Sequence, residues 1–385
     1  VSLVNIFDGQ SLEFQLTKPL PGLNNSGFDV QFMDGGIAFT SNVNTDGSWS
    51  TWATKGGGTV NWGVGSVALG SSEILLNSLG LTTVNFGDSI CPTTSVASSL
   101  VPHAVANTWS NQTGLGFINA NTAISFVTGL PVQHISPPAP SVDSLNWGIA
   151  YTGFMDAWNA GYTGKGITVA VIDTGINTNI SPLTAHYMSA VSQAFASVQD
   201  TDGHGTSVAS EIFAQNLRSP SNPSPVTGGA YDANFMALNY QKYIPGSYKG
   251  IVDSVAAGIT YAVDHGANVI NISLASSFSS EIQTALQLAC QAGVPVVVSS
   301  GNEGQFSPEY PSNTSFIYGN VVVSGATQWT VPSSNGKWSE INQAGFSNQS
   351  GSAAIYNYLN SPGASVLAFN LSGQEVSVSG TSFSA

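Results

Sequence analysis

The sequence predicts two folds in series: an antiparallel all-β domain of sandwich or jelly-roll type over residues 1–135, then an α/β domain over 146–385 whose parallel sheet is flanked by helices. Three observations predict it. Residues 1–135 carry short apolar runs that alternate with polar residues between glycine turns, as half-buried strands do. Ser136-Pro-Pro-Ala-Pro140 is a stiff run that marks a linker over 136–145. Beyond it, β-branched apolar runs alternate with stretches whose apolar residues recur every three or four positions, the pattern of strands joined by helices.

In the first region Ser11–Leu16 and Phe28–Phe32 show the two-residue period. Gly35-Gly36 and Gly56-Gly57-Gly58 supply turns, and Trp49, Trp52 and Trp62 punctuate the runs. In the second region Ile167–Ile172, Ala267–Ser273 and Val294–Ser299 read as buried strands, and Glu375–Val378 as a further strand. Val252–Asp264 and Ser280–Ala292 read as helices, Gly203–Ala209 as a glycine turn running into a helix, and Ser219–Pro225 as a surface loop. No internal repeat is evident.

The 385 residues are enough for two or three domains, and 42% apolar content supplies a core. Charged residues make up only 7%, with 7 basic against 21 acidic side chains and a net charge of −14. That balance excludes the clustered basic footprint of a nucleic-acid binder and argues against docking on anionic membranes. A weakly charged polar surface suits an exported protein in a harsh medium, extracellular or at the cell surface. The start at Val1 rather than Met agrees with removal of an export signal, and the sequence shows no spanning segment. Cys91 and Cys290 either pair as one disulfide or remain buried thiols. Glycosylation sequons occur at Asn24, Asn111, Asn179, Asn271, Asn313, Asn348 and Asn370, which supports a glycoprotein only weakly in so Asn-rich a chain. The histidines His103, His134, His186, His204 and His265 lack metal-ligand spacing.

Three segments carry chemistry: Val171–Gly175 around Asp173, Asp202–Thr206 around His204, and Gly380–Ser384 around Ser382. A serine hydroxyl is a poor nucleophile until an imidazole takes its proton and a carboxylate orients that imidazole. Asp173 closes an apolar strand, where catalytic groups of open α/β sheets sit. A fourth segment, Val294–Gly304, is a strand ending in Asn302 between two glycines. Asp202, beside the histidine, reads as a turn residue or a charge facing the substrate, and His265 as a helix-end residue.

In that order, with Asn146-Trp147-Gly148 and the run Ala157–Gly166, these motifs resemble the subtilisin-like serine proteases, the subtilase family, over roughly residues 140–385. The resemblance implies a serine endopeptidase that needs no cofactor. Ser382 would attack the scissile carbonyl, His204 would act as base and then acid, and Asp173 would hold its tautomer. Asn302 would donate to the oxyanion. Ser273, Leu274, Ala275, Ser300 and Gly301 would line the groove. An extended peptide would lie along strands near Asn239–Tyr248 and Ser273–Ser276. Structural calcium is common in the family, with no ligands identifiable here. The sequence departs from the family pattern at Ala275 and Ser276, where glycines usually leave space, and at Ser207–Ser210 after the histidine. The N-terminal region does not resemble the family's small α+β prodomain. The chain also stops at Ala385, where the family continues into a helix, so a missing C-terminal segment or a second chain is expected to complete the fold. Two other readings follow from these departures: an extracellular surface-structural or adhesive protein retaining a protease fold, and a zymogen whose N-terminal domain occludes the groove.

Overall fold

The computed structural model describes residues 110, 112–129, 147–188, 197–215, 226–246, 248–316, 318–330, 340–351 and 357–385, together with strand segments nearer the N-terminus. The Pro-rich linker 136–145, the loop 219–225, Cys91, His103, His134, Asn24 and Asn111 lie outside the described residues.

The chain divides into two compact units, Val1–Ile90 and Cys91–Ala385. In the first, β1 (Ser2–Ile6), β2 (Ser11–Gln15) and β7 (Glu73–Asn77) pair antiparallel, and so do β3 (Phe28–Asp34), β4 (Ile37–Val43), β5 (Ser48–Lys55) and β6 (Gly58–Ser66).

The second unit holds a mostly parallel seven-stranded sheet. Its strands are β8 (Thr168–Asp173), β9 (Asn234–Asn239), β10 (Val269–Ile272), β11 (Val296–Ser299), β12 (Val321–Thr330), β13 (Glu340–Gln343) and β14 (Tyr358–Pro362). The order is β13-β12-β11-β10-β8-β9, with β14 also parallel to β12 and only β13 antiparallel. The helices are α1 (Ala120–Thr128), α2 (Trp147–Tyr151), α3 (Phe154–Asn159), α4 (Ser181–Thr184), α5 (His204–Phe213), α6 (Ser254–Asp264) and α7 (Ser280–Gln291). Residues upstream of the Pro-rich run belong to this unit too. Leu115 N–H donates to Tyr358 O at 2.9 Å and Asn360 N–H to Gly116 O at 2.8 Å, so residues 114–118 run along β14.

β8 sits between β9 and β10 and is buried at every position, as its unbroken apolar run requires. Alternate residues face opposite layers. Val169 and Val171 join a core with Ile176, Val208, Phe213 and Phe235, where the Phe213 and Phe235 rings stack at 4.1 Å. On the other face Ile172 meets α6 at Gly258, where a Cβ would lie 3.1 Å from Ile172 Cδ1, so glycine lets that helix approach. Asp253 caps α6 by accepting from Val255 and Ala256 N–H, and Ser279 caps α7 through Ile282 N–H. His265 stands at the carboxyl end of α6, as expected, and its Nδ1 lies 2.8 Å from Tyr261 O.

Glu375–Val378 is a strand, as expected: as β16 it pairs antiparallel with β15 (Val366–Phe369) outside the large sheet. That hairpin is bound to α5 by the departures noted after the histidine: Ser207 Oγ donates to Phe369 O at 2.9 Å, and Ser210 Oγ accepts from Phe369 N–H at 3.0 Å. The stretch after Asn239 is not an extended strand. Asn239 Oδ1 accepts from Gln241 N–H and turns Tyr240–Lys242 into a 3-10 helix, a local bond that competes with strand pairing.

Cys290, on α7, is disulfide-bonded. The sequons Asn271 and Asn348 are fully buried with side chains engaged inside the fold, so the folded protein offers neither for glycosylation. Among the described residues, no helix is long and apolar enough to cross a membrane.

Candidate active site

Asp173 is the last residue of β8, 2% exposed, at the carboxyl edge of the parallel sheet. Its Oδ1 accepts from Thr174 N–H at 2.7 Å and lies 2.7 Å from His204 Nδ1. Its Oδ2 is buried with no hydrogen-bond partner. His204 is the first residue of α5, so the end of a strand and the start of a helix meet at this pair. Glycine makes the approach: a Cβ on Gly205 would lie 2.4 Å from Gly175 O and 3.1 Å from Asp173 Oδ1. Gly175 itself has φ +112°, and a Cβ there would sit 2.3 Å from Val198 O.

Burial of the His204 ring favours its neutral form, but the bond to Asp173 and the charges of Asp173, Asp202 and Asp200 outweigh burial and raise its pKa above 6.5. Asp173 therefore fixes the Nδ1–H tautomer and leaves Nε2 as the basic atom.

Ser382 lies in a 3-10 turn, Thr381–Phe383, against the start of α5; the Phe383 and His204 ring centroids are 5.8 Å apart. In the resting arrangement Ser382 Oγ donates to Ser273 O at 3.0 Å, and Ser273 Oγ donates back to Ser382 O at 2.8 Å. Ser273 is buried, Leu274 half-buried and Ala275 exposed, so this segment runs from beneath the serine out to the surface.

Asn302 stands on the loop after β11. Its Oδ1 accepts from Thr381 N–H at 2.8 Å and Thr381 Oγ–H at 3.0 Å, which leaves Nδ2 as the outward donor. Gly301 N–H donates to Thr381 Oγ1 at 3.2 Å. Asp173, His204, Ser382, Asn302, Ser273 and Gly301 thus stand on adjoining segments. Ser300 lies behind them: it is fully buried and its N–H donates to Ser324 O.

In the sequence Asn348 stands out only as a sequon, with nothing to mark a structural role. It is fully buried and grips the 300–305 loop: its Nδ2 donates to Ser300 O and Glu303 Oε2, both at 3.1 Å, and its Oδ1 accepts from Glu303 and Gln305 N–H. Gly301, with φ +105°, is required beside it, since a Cβ would lie 2.2 Å from Asn348 Nδ2. No motif encodes this role; only the fold brings Asn348 beneath the loop.

Glu303 and Glu309 form a carboxyl pair on the same loop. Burial first, then the hydrogen bond and charge of Glu303, push Glu309 up to about 7 from 4.5. Glu309 keeps its proton in the folded chain between these values and loses it in the unfolded one, so this group withdraws stability as pH rises from 4.5 towards 7. Glu309→Gln should flatten that decline, read as Tm measured from pH 4.5 to 8 in both proteins; parallel curves would contradict the pairing.

A carboxylate–imidazole pair at a sheet edge, with a serine hydroxyl and an amide donor on the neighbouring turns, suits acyl transfer through an activated hydroxyl, the chemistry of serine hydrolases. Residues 164–385, more than half of the chain, match the Subtilase family, and the chain belongs to it. It is 38% identical over 185 residues to Subtilisin Savinase of Lederbergia lenta, covering 48% of this chain and 64% of that protein. It is 38% identical over 185 residues to an alkaline protease of Alkalihalobacillus alcalophilus, covering 48% and 45%. It is 31% identical over 214 residues to Minor extracellular protease Epr of Bacillus subtilis, covering 55% and 31%. The chain therefore spans less than two thirds of the length of these relatives. Among solved structures it is similar to S41 Psychrophilic Protease, at 29% identity and TM-score 0.47 over 63% of this chain and 81% of that one. Sphericase is similar at 25% identity and TM-score 0.48, over 64% and 81%.

Proposed function

We propose that this protein is an exported serine endopeptidase that cleaves peptide bonds through an acyl-enzyme on Ser382. The observation that carries the proposal is the 2.7 Å contact between buried Asp173 and His204, beside the turn that bears Ser382. In the proposed reaction Ser382 Oγ leaves Ser273 O by a side-chain rotation and gives its proton to His204 Nε2 as it attacks the carbonyl carbon. The amide of Asn302 receives the developing oxyanion. His204 then returns the proton to the leaving amine, and a water molecule, activated by the same imidazole, releases the acyl group. An extended peptide lies against the Ser273–Ala275 segment on one side and the loop bearing Gly301 and Asn302 on the other, with Ser300 buried behind that loop.

Export is supported by the sparse surface charge and by the extracellular relative. The antiparallel pairing in Val1–Ile90 supports an all-β accessory domain, of sandwich or jelly-roll type, before the catalytic one. The comparisons favour the protease over a surface-structural protein. Catalysis by this triad uses no cofactor. No calcium ligands are assigned: among the described residues, no cluster of three or more His, Cys, Asp or Glu side chains could hold an ion.

Labelling with a fluorophosphonate tests the reading. The wild-type protein should acquire one adduct, on Ser382, and His204→Ala should acquire none at matched times. An adduct formed equally well without His204, or none in the folded wild type, rules the reading out.

A further inference from the structure

Asp200 has no role in the reaction just described, yet its carboxylate is 2% exposed and accepts five hydrogen bonds. Oδ1 takes Thr174 Oγ–H at 3.0 Å and the N–H groups of Asp202 and Gly203, both at 2.9 Å. Oδ2 takes Thr206 N–H at 2.9 Å and Thr206 Oγ–H at 2.6 Å. Thr174 follows Asp173 at the end of β8; Thr206 lies in the first turn of α5, two residues after His204. Thr174 Oγ1 also accepts from Gly205 N–H at 2.8 Å, closing a ring of bonds between strand end and helix start.

Helix α5 needs such a partner. The first N–H groups of a helix have no acceptor within it, and the capping residue here, Gly203, has no side chain to offer. A negative charge at that end is favoured by the helix dipole. Although burial opposes charge on Asp200, the bonds from Thr206, Gly203 and Asp202 hold its carboxyl below the usual range, so it is ionised at neutral pH.

We propose that Asp200 is a positioning residue for the catalytic base: its buried carboxylate locks the start of α5 onto the Asp173–Thr174 turn and so sets the reach of His204. The proposal rests on the protease reading above. Asp200 acts on His204 in two ways. The bond ring holds the imidazole at Asp173, and the charge of Asp200, like those of Asp173 and Asp202, favours the protonated ring.

The two actions separate experimentally in the full chain. Titration of the His204 ring by NMR of histidine-labelled protein reads the charge; the plateau rate of fluorophosphonate labelling reads the positioning. Asp200→Asn should lower the His204 pKa by about half a unit, since one nearby charge is lost. It should also cut the plateau labelling rate about tenfold, because small misplacements of a reacting group are costly. Thr174→Val keeps the charge and breaks the ring, so it should slow labelling while moving the titration less than Asp200→Asn does. If Asp200→Asn does not fold, Thr174→Val still decides: an unslowed rate in that variant refutes the positioning. In folded Asp200→Asn, an unmoved His204 pKa or a rate within twofold of wild type overturns the proposal. Should the wild type fail to label at all, it is the protease reading that falls, and the titration alone then decides whether Asp200 governs His204.

Discussion

Asp173→Asn should reduce kcat on the order of 10⁴-fold while the protein stays folded, the scale seen when triad carboxylates are replaced. The local bonds say why. Asp173 Oδ1 accepts from two donors, Thr174 N–H and His204 Nδ1–H, whereas Oδ2 has no partner. An asparagine will therefore place its oxygen at the Oδ1 position, because the reverse orientation sets its NH₂ against a backbone N–H. The imidazole tautomer survives. What is lost is the negative charge that stabilises the imidazolium formed as Ser382 gives up its proton. The pH profile should carry the same mark. Wild-type activity should rise with pH through the His204 pKa, which lies above 6.5, since the proposed base must be neutral. In the variant that acid limb should move to lower pH. Kinetics from pH 5 to 9 on wild type and variant check both statements; a loss under tenfold, or an unmoved acid limb, would show that His204 does not depend on Asp173.

The pairing of Asp173 with His204 was legible in sequence because each sits where a local pattern ends. Asp173 terminates an apolar run, and His204 follows a glycine at the mouth of a helix. That Ser382 and Asn302 lie on turns beside glycines was legible for the same reason. β9, β12 and β14 were not legible, although Val321–Val323 is as apolar as β11. In β12 and β14 the companions are polar or small, as in Asn360 and Ser361, because Ser324, Ser361 and Asn360 bond inside the fold and to the 110–118 segment rather than packing on apolar neighbours. Asp200 and Asn348 were hidden for a different reason. Each is a polar residue in an ordinary loop whose partners come from elsewhere in the fold: Asp200 bonds across 26 positions to Thr174, Asn348 across 48 to Ser300. Their roles depend on burial, and burial of a polar side chain leaves no periodic trace. The expected strand after Asn239 failed because a single side-chain bond to Gln241 N–H turned the chain.

Asn302 separates two tasks that a single substitution would confuse. Its Oδ1 holds Thr381 through two bonds, and so holds the turn that presents Ser382; its Nδ2 is the donor proposed for the oxyanion. Asn302→Ala removes both, and the expected loss is about 10²–10³ in kcat, a magnitude measured for this role in subtilisin. Asn302→Asp keeps an acceptor for Thr381 while exchanging the donor for a negative charge facing a developing anion. If the alanine loss comes from the missing donor, the aspartate should be at least as slow as the alanine, with KM near wild type in both. If it comes from a loosened Thr381, the aspartate should recover most of the rate. The first result is expected, because the turn keeps other ties that Asn302 does not supply: Gly301 N–H to Thr381 Oγ1, Gly380 N–H to Gly363 O, and the reciprocal bonds between Ser273 and Ser382. A turn held from several sides tolerates the loss of one bond, whereas an anion left without its donor has no substitute on this loop.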